Sequence, residues 1–168
     1  MWSIVRHLYR YSPQLLTPVW PTLRDGLVVP DAAQRLAAGQ CLGHLFVARP
    51  DAVVQHHYAL LGAWLQRQHD VHADIRQALV APCLSLAQHW ARADASDDPH
   101  QNLTAQALHD VTHTVEALVV SDTQPAVRLH AVHAICEALY RSSTSYPASV
   151  TARLLQAVGK RVSARNRN

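Results

Sequence analysis

The stretch Asp70-Val71-His72-Ala73-Asp74-Ile75-Arg76, with Gln77 to Ala91 behind it, decides the fold. Ile75, Leu79, Cys83, Leu86 and Trp90 recur at intervals of 4, 4, 3 and 4, which is one apolar face of a helix with 3.6 residues per turn. In front of that helix stands a turn, with Asp70 six residues before Arg76. The same arrangement returns at Asp122 and Arg128, again six apart, ahead of Leu129, Val132, Ile135, Cys136 and Leu139. An Asp in a turn accepts backbone N–H groups, and an Arg at the start of the next helix is well placed to pair with it.

Working outward, the apolar stripes Leu16, Val19, Trp20, Leu23, Leu27; Val54, Tyr58, Leu61, Trp64, Leu65; and Leu108, Val111, Val115, Leu118 have helical spacing too. No run alternates as a strand does. Breaks fall at Ser12-Pro13, Val29-Pro30-Asp31, Arg49-Pro50-Asp51, Asp122 to Pro125 and Tyr146-Pro147, and residues 94–102 form a polar, acidic loop. The spacing predicts helices at 2–11, 14–27, 31–48, 52–68, 72–91, 103–120, 125–142 and 148–162, with Pro82 expected to kink or split the fifth.

The helices come in pairs. Arg35, Arg76 and Arg128 each open a second helix, 41 and 52 residues apart. The first interval lies within the period of roughly 40–47 residues of HEAT repeats, and the acidic loop accounts for the longer second one. The expected fold is therefore all-α: an α-solenoid of HEAT-type antiparallel hairpins, with pairs at about 12–48, 50–91 and 99–142 and partial units at 1–11 and 147–168. Both ends look cut in mid-repeat, so a fragment of a longer array is expected. Asp70, Arg76, Asp122, Arg128 and Arg35 are expected to form a structural ladder along the turns. The first repeat departs from the pattern, with Val29 where the others carry Asp.

Composition excludes several classes. The 168 residues are 49% apolar and 16% charged, which is not a disordered chain. Five Gly form no phosphate-cradling loop, and three Cys include no C-x-x-C pair. No run is apolar enough to span a membrane. The net charge is +3, but unevenly spread: six basic residues and no acid follow Glu137, against nine basic residues and twelve acids up to position 140. The basic end offers Arg153, Lys160, Arg161, Arg165 and Arg167 to a partner or to phosphates, or stands as a solvated face.

Twelve His raise the question of metal. His109 and His113 are one helical turn apart, with Asp110 where a zincin carries Glu, and His130 and His133 follow on the next helix. The shorter Asp and the lack of a Cys set favour polar-face histidines, so no metal, cofactor or catalytic residue is expected. Cys41, Cys83 and Cys136 are expected as buried apolar filler, and Trp20, Trp64 and Trp90 as packing.

The order of features over about residues 11–165 resembles the Pds5 family of cohesin-associated HEAT proteins. The resemblance is carried by Tyr11-Ser12-Pro13-Gln14-Leu15-Leu16, Val19-Trp20-Pro21-Thr22-Leu23, Gln34-Arg35-Leu36, Leu42-Gly43-His44-Leu45-Phe46, Trp64-Leu65-Gln66-Arg67 and the Asp70–Arg76 turn. Helix 103–120 and Pro82 do not match the pattern. The resemblance implies a nuclear, chromatin-bound, non-enzymatic scaffold that regulates sister chromatid cohesion. Its implied partners are cohesin, through the kleisin subunit, and cohesin's regulators; DNA contact would be weak or indirect, with no small-molecule substrate and no membrane. Three repeats alone are expected to bind such a partner weakly. The alternatives are a HEAT scaffold of nuclear transport or phosphatase assembly, and a His-metal enzyme.

Overall fold

A computed structural model describes residues 9, 11, 13–93, 101–141, 146 and 148–165. Among them every regular element is helical. A 3-10 turn, Pro13–Leu16, precedes α1 (Val19–Gly26) and α2 (Ala32–Ala48). Then come α3 (Pro50–His56), α4 (Tyr58–Leu65) running into a second 3-10 turn (Gln66–His69), and α5 (Ala73–Ala93). The rest is α6 (Gln101–Val120), α7 (Pro125–Arg141) and α8 (Ala148–Arg165). The fold is all-α, built of helix hairpins, as the periodicity predicts. No helix among the described residues is long and apolar enough to cross a membrane.

The contacts divide the chain into two compact units, Met1–Pro82 and Cys83–Asn168. In the first, α1 packs on α2, and α4 packs on α1 and α3. The Asp31 side chain caps α2 by accepting from the Gln34 N–H at 2.7 Å, which satisfies one of the helix's orphan donors. Leu42, Leu45, Phe46, Val53, Leu61 and Trp64 are buried, and each such side chain contributes about 1.5–3 kcal/mol by leaving water. Phe46 meets Trp64 edge to face at 5.5 Å, and the Trp64 indole N–H donates to the Gly39 carbonyl at 2.8 Å. A second cluster joins Tyr9, Leu16, Cys41 and Leu45, with Trp20 and Leu23 against it. α2 and α5 approach closely at Gly43: a Cβ there would stand 2.9 Å from the Pro82 ring and 3.3 Å from Trp64.

In the second unit α6 packs on both α7 and α8. Its buried face is Ala107, Val111, Thr112, Val115, Leu118 and Val119. The Thr112 hydroxyl donates back to the Leu108 carbonyl at 2.7 Å, so a buried polar group is satisfied within its own helix. Val127, Ala131 and Ile135 of α7 and Val150, Leu154 and Ala157 of α8 complete the core. The Tyr146 hydroxyl donates to the Leu84 carbonyl at 3.0 Å.

Five expectations need correction. The helix expected at 14–27 is a 3-10 turn and a separate α1, divided at Thr17–Pro18. A proline supplies no N–H and clashes with the preceding turn, so a break there is physically expected. The helix expected at 52–68 divides at His57, whose φ of −129° and ψ of 20° leave the helical region. Neither Gly nor Pro stands there; the break accompanies the seating of the His57 ring on Trp20, 4.2 Å between centroids. Pro82 does not split α5, which runs through it from Ala73 to Ala93. The expected acidic loop 94–102 ends earlier, because α6 begins at Gln101; residues 94–100 lie outside those described. Finally, α7 buries only Ile135 of the stripe chosen from sequence. Val127, Ala131 and Ile135 face the core, whereas Leu129 is 70% exposed, Tyr140 is 89% exposed, and Cys136 is exposed rather than buried. The helix expected at 2–11 lies outside the described residues except at Tyr9 and Tyr11.

Candidate functional site

The turns that join paired helices share one geometry. Arg35, four residues into its hairpin's second helix, donates through Nη1 to the carbonyls of Val29 (2.9 Å) and Pro30 (2.7 Å). Arg76 donates through Nη1 to the carbonyls of Asp70 (2.6 Å) and Val71 (3.2 Å). Arg128 donates through Nη1 to the Asp122 carbonyl. Each arginine thus closes the turn onto the main chain six residues back. A guanidinium suits this task because several donors in a fixed fork can hold two carbonyls at once. The acceptor is backbone, so any residue can occupy the position, and Val29 serves where the other turns carry Asp.

The Asp carboxylates add a second layer. Asp70 Oδ1 accepts from the His72 N–H at 3.0 Å, and Asp122 Oδ1 from the Gln124 N–H at 2.8 Å. These are Asx turns, which pin the chain before the helix starts. Asp70 also reaches back across one hairpin. It accepts a fork from Arg35, Nε to Oδ2 at 2.8 Å and Nη2 to Oδ1 at 3.1 Å. Both side chains are nearly closed to solvent, at 10% and 3% exposure. Burial pushes the Asp70 carboxyl up, but the hydrogen bonds from Arg35 and His72 and the charges of Arg35 and Arg67 outweigh it, so the group lies below its ordinary value. The hydrogen bond to Asp70 holds the Arg35 guanidinium still more firmly protonated.

Arg67 belongs to this cluster, although the repeat period of the turn arginines does not single it out. Its Nη1 donates to the Leu27 carbonyl at 3.0 Å and lies 3.8 Å from Asp70 Oδ2. Arg35, Arg67 and Asp70 therefore tie the first turn of the unit to the second. The signal that could have found it is its place three residues before Asp70, at the end of the preceding helix.

The basic end is placed differently. Arg153 makes a fork with Glu116 of α6, at 3.0 and 3.1 Å, which ties α8 to α6 and engages its charge. Lys160 is exposed on α8. Arg161 and Arg165 fall within α8, but their side chains lie outside the described residues, as does Arg167 altogether.

The remaining sequence candidates do not converge. His109 and His113 stack at 6.1 Å on the exposed side of α6, and His130 and His133 are exposed on α7. Among the described residues no group of three or more His, Cys, Asp or Glu could hold a metal ion. Cys41 and Cys83 are buried, and burial alone pushes both thiols up, away from thiolate chemistry. Trp64 and Trp90 are buried as packing and Trp20 is half-buried.

A family model described as "Sister chromatid cohesion protein PDS5 protein" matches residues 1–168, the whole chain. The chain belongs to the PDS5 family. No curated protein matches it. PDS5 membership agrees with the all-α hairpin fold, and it makes this a chain of the sister chromatid cohesion class.

Proposed function

We propose that this chain is a non-catalytic scaffold of the PDS5 type, which regulates sister chromatid cohesion by binding cohesin subunits, the kleisin among them, on nuclear chromatin. The observation that carries the reading is the family match over all 168 residues. The architecture supports it. Helix hairpins of this kind present helix faces that suit elongated protein partners. The turn cluster of Arg35, Arg67, Asp70 and Arg76 directs its polar groups inward to carbonyls and to one another, which is the chemistry of a frame and not of a reaction centre. We read Asp122 and Arg128 as the same frame in the following hairpin. With Arg153 engaged by Glu116, DNA contact through the basic end is weak and salt-sensitive.

The test is affinity capture of the tagged chain from nuclear extract, followed by mass spectrometry. Cohesin subunits enriched over an untagged control are the expected result. Recovery of transport cargo or phosphatase subunits without any cohesin component would overturn the assignment and leave the hairpin fold intact.

A further inference from the structure

In the first unit, α1 and the α3–α4 segment enclose an open groove of about 420 Å³, lined by Trp20, Pro21, Arg24, His56, His57, Ala59 and Leu60. We propose that this groove docks a short acidic peptide segment carrying one aromatic side chain. The volume lies within the roughly 300–1,000 Å³ common for ligand clefts and has room for one aromatic ring and the backbone beside it.

The floor is largely apolar. Trp20 meets Tyr9 edge to face, 5.3 Å between centroids at 75°, and lies against His57 at 4.2 Å and 35°. An indole held on two sides is a pre-organised aromatic platform, so an incoming ring orders little protein on binding. Pro21, Ala59 and Leu60 extend the apolar surface beside it. The break at His57 makes this possible, because it separates α3 from α4 and brings the imidazole to Trp20.

The charge of the polar lining sits on Arg24, because burial and the neighbouring His56 favour the neutral form of the His57 imidazole. Arg24, His56 and His57 supply N–H donors, and among the described residues no carboxylate lines the groove. Arg24 stands in the last turn of α1. It is 67% exposed and, among the described residues, pairs with its neighbour Asp25 at 3.5 Å, itself 70% exposed. Such a surface pair is worth little, so an incoming carboxylate can take the guanidinium over. An acidic segment therefore meets complementary charge, and a basic one meets Arg24 as a like charge. This docking does not depend on which complex the chain serves, and it is tested without cohesin.

The probe is a dye-labelled peptide, Glu-Asp-Phe-Glu-Asp, titrated with the full 168-residue chain and followed by fluorescence anisotropy. Saturable binding is expected, weakened about tenfold when Lys replaces the four acids and about tenfold when Ala replaces Phe. Arg24→Glu weakens binding about tenfold at unchanged melting temperature, since the side chain is exposed. Arg141→Glu, an exposed charge reversal on α7, leaves it unchanged. The proposal is overturned by no anisotropy rise up to millimolar chain, by equal binding of the three peptides, or by Arg141→Glu acting as strongly as Arg24→Glu. It is overturned too if an oligothymidylate displaces the peptide at equal concentration, which would assign the groove to phosphate.

Discussion

Arg35 and Arg76 perform the same task in successive turns, and the task is directed at carbonyl oxygens. That explains why the six-residue offset is kept at Val29–Arg35 although Val29 has no carboxylate. The offset is legible in sequence, because spacing tells which residues meet. Which atom accepts is not, because an Asp offers both a carbonyl and a carboxylate at the same position. Arg76 is 6% exposed, and Arg76→Ala should cost about 1–3 kcal/mol, the penalty of leaving buried acceptors unpaired; urea denaturation measures it. Asp70 gives a pH signature. Its folded carboxyl titrates below its unfolded value of 3.8. The stability it contributes is therefore complete above that value and is lost as pH falls through the lower, folded one. Asp70→Asn should lower the urea midpoint at pH 6 and narrow its gap to the parent chain at pH 3. An equal gap at both pH values would mean that the carboxylate's charge is not what holds Arg35.

At the scale of helices, periodicity locates α5, α6 and α7 within a residue or two, because each carries three or more turns of apolar spacing, and the breaks at Pro30-Asp31 and Arg49-Pro50 bound α2. It fails at His57, where the break comes with a tertiary contact to Trp20 and no local breaker marks it. It fails also on α7, which has two apolar stripes. Sequence favours Leu129, Val132, Ile135, Cys136 and Leu139, of which Ile135 is buried; Val127 and Ala131 complete the packed stripe, and their small side chains permit close approach to α6. Close approach governs α2 as well. Gly43→Ala puts a Cβ 2.9 Å from the stiff Pro82 ring and should destabilise by about 1–3 kcal/mol through overpacking. The loss should shrink in a Pro82→Ala background, a double-mutant cycle that isolates this contact. Gly62→Ala is the counterpart. Nothing lies within 4 Å of the added Cβ on α4, so the helix should gain about 0.5–1 kcal/mol. Thermal melts of the two alanine variants should move in opposite directions.

For the whole molecule, both the all-α class and the PDS5 resemblance are readable in the sequence, and the family match extends that resemblance to the whole chain. The partner surface is less legible, because binding faces of hairpin arrays are irregular in sequence and their residues are solvated like any others. The groove at Trp20 illustrates this: Trp20 reads as one more member of a core stripe until the His57 break is known. The central claim, that this chain is a cohesin-binding scaffold, is tested most directly by titrating it with the purified cohesin kleisin subunit in sedimentation-velocity ultracentrifugation. The account predicts a saturable complex of micromolar or weaker affinity, about −8 kcal/mol or less favourable, unchanged by EDTA. No complex at 100-fold that concentration, or an equal one with an unrelated extended polypeptide of matched charge, would contradict it.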